Sequence, residues 1–233
     1  MTRVAIMQPT YLPWIGYFGL MKSVDLFIFL DSVQFTRRSW QQRNQIKTAN
    51  GPIWLTVPVL SKGKRDQLIT DVEIDRSRDF PQSHQRALEL NYKKSPHFDT
   101  YAPQLLSLIG ANNRNLTDLT ISTIAWLAST LGITTPIRRS SEFEVAGTKA
   151  ELLASLCDQV GATEYISPPG SKDYLDESDA FTRRGLPLRY FNFTNPEYPQ
   201  RFGDFLPYMS VVDLLFNCGP ESLTLIEKGC EVS

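Results

Sequence analysis

The sequence predicts an α/β fold, on three observations. Residues 3–8 and 25–30 are short, almost continuously apolar runs, which is typical of strands buried on both faces of a sheet. Residues 14–23 lie between them with a helix-compatible pattern, so the chain opens as strand, turn, helix and strand. Residues 164–193 return to the same alternation. We therefore expect a single Rossmann-like domain over residues 1–233, with a mixed sheet.

A hairpin is predicted after the second strand. Residues 43–48 and 53–59 have strand composition and flank the turn sequence at 50–52, Asn-Gly-Pro. A polar loop at 61–67 follows and leads to a short run at 71–75. We interpret that run as an edge strand.

The middle of the chain is predicted to be helical. Residues 79–92 carry one apolar face, and residues 116–131 carry a strong apolar stripe with Asn115 placed as the cap. We expect these helices to form an insertion at about residues 79–131.

The last third of the chain predicts further helices and strands. A helix at 149–160 would be capped by Thr148, with Glu151 completing a capping box and Gly161 ending the helix. The remaining predicted elements are a strand at 164–167, a helix near 178–184, a strand at 187–193 and helices at 211–217 and 221–228.

Composition narrows the class of protein. The net charge of −1 argues against a wholesale electrostatic partner, although a local basic patch stays compatible with it. Three cysteines without metal-ligand spacing are typical of reduced intracellular thiols. No signal-peptide pattern and no apolar run long enough to span a membrane occur in the sequence. We expect a cytoplasmic protein without membrane partners, and the sequence predicts no oligomeric state.

The turn after the first strand is rich in aromatic residues. Tyr11, Trp14 and Tyr17 follow the break at Gln8. In α/β folds this turn commonly holds phosphates, because helical N–H groups point there. Residues 14–17 stand where adenylyl- and cytidylyltransferases carry HxGH, but both histidines are aromatic here. The rings either wall a pocket or pack in the core of the first helix.

The chain resembles the WbqC-like family over nearly its whole length. The resemblance is carried, in order, by QPTYLPWIGYF, DLFIFLDSVQFTRRSWQQRNQI, WLTVPV, NYKKS, GTKAELLASLCDQVGATEYISPPGSKDYLD and EYPQRFGDFLPYMSVVDLLFNCGP. Members occur in bacterial O-antigen gene clusters, where glycine transfer has been suggested, and related phage proteins are amino acid:DNA transferases. The resemblance therefore implies a glycine amine joined to a phosphate-activated or nucleotide-linked acceptor.

The segment DSVQFTRRSWQQRN offers groups for this chemistry. Arg37, Arg38 and Arg43 are guanidinium forks suited to a leaving phosphate or a glycine carboxylate. Asp31 follows the second strand, where ligand clefts open, and could orient the glycine ammonium or accept its proton. A solvated basic loop is the alternative interpretation.

The same segment carries groups that suit a pyrimidine. Gln34 and Asn44 can donate to and accept from a base edge. Trp40, with Tyr11 and Trp14, could stack on the ring.

Histidines and a lysine pair give further candidates. His84 shares a helix face with apolar residues and is either a general base or a structural histidine. His97 lies in an expected loop. Lys93 and Lys94 are phosphate candidates, or a solvated helix end.

The loop after the strand at 164–167 has the composition of a phosphate-contacting turn, although it lacks the P-loop pattern. Its candidate residues are Ser167, Gly170, Lys172 and Asp173.

Two other candidates lie on predicted helices. Lys149, at a helix start where the dipole disfavours a cation, is either an exposed accident or a ligand-facing lysine. Asp213 and Asn217, four residues apart, are either a buried pair or a carboxylate facing the cleft.

These observations favour a glycine transferase whose co-substrate is glycine and whose acceptor is phosphate-activated. The acceptor is either a pyrophosphorylated 5-hydroxymethyl-pyrimidine in phage DNA, our first choice, or a nucleotide-linked amino sugar of polysaccharide biosynthesis. We expect no cofactor and no bound metal site, although a divalent metal at the leaving phosphate stays compatible with the sequence. A non-catalytic binding module and a nucleotidyltransferase are the alternatives.

Overall fold

The computed structural model of the chain describes residues 1–168 and 170–233. The strands, in chain order, are β1 (Arg3–Met7), β2 (Leu26–Phe29), β3 (Arg43–Thr48), β4 (Gly51–Thr56), β5 (Ile137–Arg139), β6 (Glu164–Ser167), β7 (Leu188–Phe193) and β8 (Cys230–Val232). The α-helices are α1 (Ile15–Lys22), α2 (Gln82–Tyr92), α3 (Phe98–Gly110), α4 (Leu116–Thr130), α5 (Ala150–Gln159), α6 (Lys172–Asp176), α7 (Val211–Cys218) and α8 (Ser222–Lys228).

Six of these strands form a mixed sheet in the order β5-β2-β1-β6-β7-β8. The neighbours pair in parallel, except that β8 runs antiparallel to β7. From β1 the chain moves to β2 on one side, and later to β6 on the other, so the winding direction reverses between β1 and β6. Strands β3 and β4 form the separate antiparallel hairpin that the sequence predicts. An α/β fold with a mixed sheet is therefore confirmed, while a specific likeness to the Rossmann fold stays a prediction.

Both faces of the sheet are covered. Ala5, Phe27 and Phe29 join a large apolar core that includes side chains of α1, α2, α3, α4 and α7. Val4 and Ile6, on the opposite face, pack in a second core with α5. This alternation explains why the first two strands are almost continuously apolar, since their central side chains meet a covering layer on either face.

Two predicted elements are wrong. Residues 71–75 form no strand, because single bridges at Glu73 and Ile74 replace a continuous ladder. The helix expected near 178–184 is a short 3₁₀ turn at Thr182–Arg184, ended by the left-handed Gly185. The sequence also did not predict α3, β5, α6 or β8, since the residues of α6 were interpreted as part of a loop.

The predicted caps differ from the observed ones. The N-cap of α5 is Lys149, not Thr148, and the Glu151 carboxylate accepts hydrogen bonds from Arg183 and Arg184 instead of completing a capping box. Asn115 does precede α4, but its side-chain amide donates to a carbonyl of another segment. Among the described residues, no helix combines the length and apolar character needed to cross a membrane.

Candidate functional site

A cleft of about 720 Å³ opens at the carboxyl edge of the parallel sheet. Its lining includes Gln8, Leu30 and Pro168, which are the first residues after β1, β2 and β6, respectively. The cleft therefore lies at the point where the winding direction reverses, which is where open α/β sheets bind ligands. Its volume is in the range of small-molecule sites.

Aromatic rings make up much of the cleft wall. Trp14 precedes α1, and its ring covers Gly16 so closely that a Cβ there would lie 2.2 Å from it. The same ring meets Phe193 edge-on, with centroids 5.2 Å apart, and lies 5.6 Å from Tyr208. These contacts hold the indole in one orientation. The aromatic lining residues are Trp14, Tyr17, Trp40, Tyr174 and Tyr208.

Amide side chains supply polar groups to the lining. The Gln41 Nε2 donates to the Gln8 Oε1 over 2.8 Å, and the Tyr17 hydroxyl donates to the Gln8 carbonyl over 3.1 Å. The Asn44 Nδ2 donates to the Leu12 carbonyl over 2.7 Å. Gln8 and Gln41 keep N–H groups for a ligand, whereas Asn44 holds the turn in shape.

The segment after β6 forms the opposite wall. Gly170 and Ser171 line the cleft, while the buried Ser167 donates its hydroxyl to the Pro168 carbonyl over 3.2 Å. Lys172 begins α6 at the cleft rim, with its Nζ 5.3 Å from the centroid of the Tyr190 ring. Asp173 lies in the first turn of the same helix and is exposed.

Lys149 is also placed at this rim. It precedes α5 with a backbone φ of 51°, and its carbonyl accepts a hydrogen bond from the N–H of Leu153, which lines the cleft. The exposed Lys149 therefore lies one helical turn from the lining, at the positive end of the α5 dipole.

Loop 36–42 separates the cleft from a second, smaller groove of about 430 Å³. Ser39, Trp40 and Gln41 face the cleft, whereas Arg37 and Arg38 line the groove. The sequence grouped Arg37, Arg38 and Trp40 in one site. The loop instead distributes them to two sites.

Arg43 lies outside both linings, next to the cleft mouth. Its guanidinium carbon lies 4.2 Å from the centroid of the Trp54 ring. Trp54 in turn contacts Trp40, with ring centroids 5.1 Å apart. Arg43 is therefore the arginine of the predicted set that neighbours the cleft through Trp40 and Asn44.

Asp31 is buried away from the cleft lining and is fully engaged. Its carboxylate accepts from the Arg139 Nε at 2.7 Å, from the Ser140 hydroxyl at 3.0 Å and from the Ser141 N–H at 2.9 Å. A buried carboxylate with these partners joins the end of β2 to the segment after β5. The interpretation of Asp31 as a proton acceptor does not fit this arrangement.

His84 and Tyr11 form a buried pair instead of facing the cleft. The His84 Nε2 lies 3.2 Å from the Thr56 carbonyl, and the Nδ1 lies 2.9 Å from the Tyr11 hydroxyl. A carbonyl only accepts, so Nε2 carries the proton and Nδ1 accepts from Tyr11. Burial lowers the pKa of His84 to about 4 and raises the pKa of Tyr11. Neither the predicted general base nor the predicted stacking at Tyr11 fits this arrangement.

Other candidates also lie elsewhere. The exposed Gln34 donates from its side chain to the Arg65 carbonyl over 3.1 Å. Lys93 ends α2, and His97 precedes α3 against Gly219.

The pair on α7 has a structural arrangement. Asp213 is buried and accepts from the Tyr92 hydroxyl at 2.7 Å, and Asn217 donates to the Asp213 carbonyl over 2.8 Å. Burial raises the pKa of Asp213. Within the described part of the chain, no three histidine, cysteine, aspartate or glutamate side chains lie together as a metal-binding group would.

Sequence reasoning missed several lining residues. Gln41 and Tyr174 stand within segments that had been singled out, so their polar and aromatic character was an available signal. Tyr208 also stands within a segment that carries the family resemblance, but it comes from a distant loop that only folding brings to Trp14.

Comparison with protein families identifies one family. The WbqC-like protein family matches residues 8–225. The uncharacterized protein Rv1507c of Mycobacterium tuberculosis is 41% identical over 224 residues, which cover 95% of this chain and 96% of the relative. No solved structure matches the chain significantly. On this basis the chain belongs to the WbqC-like protein family.

Proposed function

We propose that the protein is a transferase that joins the amine of glycine to a phosphate-activated acceptor held in the cleft. The observation that carries the proposal is the lining, in which five aromatic rings and three amide side chains meet between β1 and β6. Rings stack on a planar group, and amides donate to and accept from its edge. Membership of the WbqC-like family supports a transferase activity.

The lining favours an uncharged planar group inside and charged groups at the rim. Among the described residues that line the cleft there is no lysine, arginine, aspartate or glutamate. Lys149, Lys172 and Arg43 lie next to lining residues, and α5 directs its N-terminus to the same edge. We assign the phosphates of the acceptor to this rim, where these cations stabilise the charge that develops on departure.

The proposed step displaces pyrophosphate from a methylene carbon. The glycine nitrogen forms a bond to that carbon, and the carbon–oxygen bond breaks with its electron pair leaving on pyrophosphate. The amine loses its proton to solvent or to the departing phosphate, because His84 and Asp31 are buried in other contacts. The protein contributes orientation and electrostatic stabilisation in this scheme.

Two acceptors satisfy the same geometry. The first is a pyrophosphorylated 5-hydroxymethyl-pyrimidine in DNA, whose ring would lie among the aromatic side chains. The second is a nucleotide-linked amino sugar, which is favoured by the cleft volume of about 720 Å³, since this exceeds what one base needs.

The test is transfer of radiolabelled glycine to each acceptor. One arm uses an oligodeoxynucleotide that carries 5-(pyrophosphoryloxymethyl)uracil, and the other uses a uridine-diphosphate amino sugar. We expect label to appear either on the oligodeoxynucleotide, with release of pyrophosphate, or on the anomeric carbon of the sugar, with release of uridine diphosphate. Binding of an acceptor without transfer would instead identify a non-catalytic binding module, and absence of both binding and transfer would overturn the proposal.

Trp14→Ala is the informative variant, with Trp126→Ala as its control. Both tryptophans are partly buried on or beside helices, but only Trp14 lines the cleft. Loss of one stacking contact of about 1–3 kcal/mol would weaken acceptor binding roughly 5-fold to 150-fold. The control should bind the acceptor normally, and both should bind glycine normally.

A further inference from the structure

Loop 36–42 is a rigid wall with a different surface on each side. The Gln41 Oε1 accepts from the N–H of Thr36 at 3.0 Å, and the Gln42 Oε1 accepts from the N–H of Arg38 at 3.1 Å. The Gln42 Nε2 donates to the Val57 carbonyl over 3.1 Å. Both glutamines are buried, so the loop backbone is held from inside. This arrangement fixes the arginine side of the wall as firmly as the aromatic side.

The groove on the arginine side carries excess positive charge. Its lining contains three arginines and two aspartates. The Asp75 Oδ2 lies 3.6 Å from the Arg78 Nε. The Asp79 Oδ2 lies 3.4 Å from the Nη1 of Arg86, which is outside the groove lining. Within the described residues, Arg37 and Arg38 have no carboxylate partner. Two arginines that line the same groove are thus left to an external anion.

We propose that this groove is a second ligand site, which binds a phosphate group through Arg37 and Arg38. Guanidinium forks bind phosphate oxygens bidentately, and the groove volume of about 430 Å³ admits a phosphate or pyrophosphate. The Ser61 side chain also lines the groove and offers a hydroxyl. This site is separate from the cleft and does not depend on the proposed transfer reaction.

The phosphate has two conceivable sources, which share this chemistry. It is either a free phosphate compound or a backbone phosphate of a strand that crosses loop 36–42 from the cleft. In both cases the loop places the anion within two or three residues of Trp40, which faces the cleft. Trp40 fluorescence is therefore expected to change when the groove is occupied.

The experiment is a pyrophosphate titration of the whole chain, followed by calorimetry and tryptophan fluorescence. The double variant R37Q/R38Q should bind pyrophosphate at least about tenfold more weakly than the wild type, since two charge-assisted contacts are lost. The control K22Q/K228Q removes the same net charge from exposed lysines on α1 and α8. It should bind as the wild type does.

Two further variants separate this site from the cleft. Trp14→Ala should retain pyrophosphate binding, because it changes only the cleft, and Lys172→Gln tests the cleft rim. The groove site would be overturned if the wild type and R37Q/R38Q bound pyrophosphate with equal affinity while Lys172→Gln bound it more weakly. That result would leave the transferase proposal unaffected.

An oligothymidylate titration identifies the source. If a strand supplies the phosphate, R37Q/R38Q should weaken oligothymidylate binding and lower its salt dependence, since phosphate contacts release counterions. If a free phosphate compound is the ligand, the variant should lose pyrophosphate binding and keep its oligothymidylate affinity. Circular dichroism of each variant checks that it is folded.

Discussion

The side chains of Gln41 and Gln8 are joined by one hydrogen bond of 2.8 Å, from Nε2 to Oε1, across the floor of the cleft. The bond ties loop 36–42 to the end of β1, which is the central strand beside the reversal point. Two segments of the cleft therefore hold each other in place.

Gln41→Glu should damage the cleft more than the fold. The glutamate carboxylate can still accept from the N–H of Thr36, but it cannot donate to the Gln8 Oε1. One carboxylate oxygen would then face the Gln8 Oε1 with no hydrogen between them. We expect acceptor affinity to fall about tenfold, while the free energy of unfolding changes by about 1 kcal/mol. Gln42→Glu is the matched control, because it loses a bond on the groove side. Equal acceptor affinity in the two variants would contradict this role of Gln41.

Gly16→Ala should displace the Trp14 ring. Helix propensity favours alanine by about 1 kcal/mol, but its Cβ would lie 2.2 Å from the indole. The ring must move, so we expect a changed Trp14 fluorescence spectrum and weaker acceptor binding. Gly110→Ala, where the nearby group is the flexible end of Gln85, serves as the control. If Gly16→Ala bound the acceptor as tightly as the wild type does, the Trp14 indole would have no role in acceptor binding.

His84 should make the fold sensitive to acid without setting the pH dependence of the reaction. Burial lowers its folded pKa to about 4 from an ordinary value of 6.5, so the unfolded chain binds a proton that the folded chain does not. The stability is therefore full above pH 6.5 and falls as the pH decreases toward about 4, by up to roughly 3 kcal/mol. Urea unfolding between pH 7.5 and 4.5 measures this loss.

The histidine variants assign that loss. His84→Gln should show a flatter decrease of stability below pH 6.5. The matched control is His97→Gln, which removes the other histidine of the chain. The contrary result would have two parts. The transfer rate of the wild type would follow one ionisation near neutrality, and a folded His84→Gln variant would have lost transfer. That result would identify His84 as the general base.

Asp31→Asn should lower stability and spare the chemistry. The amide cannot match a carboxylate that accepts from Arg139, Ser140 and Ser141, so we expect a loss of about 2 kcal/mol in the free energy of unfolding. Asp173→Asn, at an exposed position, should cost much less. Glycine transfer per folded molecule should be unchanged in Asp31→Asn, and its loss in a fully folded sample would place Asp31 in the mechanism.

The sequence predicts those helices, strands and turns whose burial or turn geometry requires a recognisable pattern of neighbouring residues. β1 and β2 are apolar because both faces of the sheet are covered. The Asn-Gly-Pro sequence at 50–52 indicates the β3–β4 hairpin, whose two-residue turn lies at residues 49 and 50. By contrast, β5 and β8 are three-residue strands without an apolar run. They exist because the exposed edges of β2 and β7 offer them backbone partners, which depends on the folded sheet.

The cleft is lined by some of the residues that the sequence singled out, but the sequence does not decide which of them line it. Tyr11 and Trp14 look equivalent in the sequence, yet the positive φ of 43° at Leu12 turns the chain between them. As a result Tyr11 is buried against His84, while Trp14 lines the cleft. The same effect separates Arg38, whose φ is 59°, from Trp40 two residues later. Backbone turns of this kind are not encoded in composition or periodicity.

The contact between Trp14 and Tyr208 has a consequence for the dynamics of the whole chain. These rings come from opposite ends of the sequence and meet at one cavity, with centroids 5.6 Å apart. A molecule bound there would contact both rings and so link the amino-terminal and carboxyl-terminal segments. Amide hydrogen exchange should then slow together in the turn before α1 and in the loop before α7, and unfolding should begin only after the ligand has left.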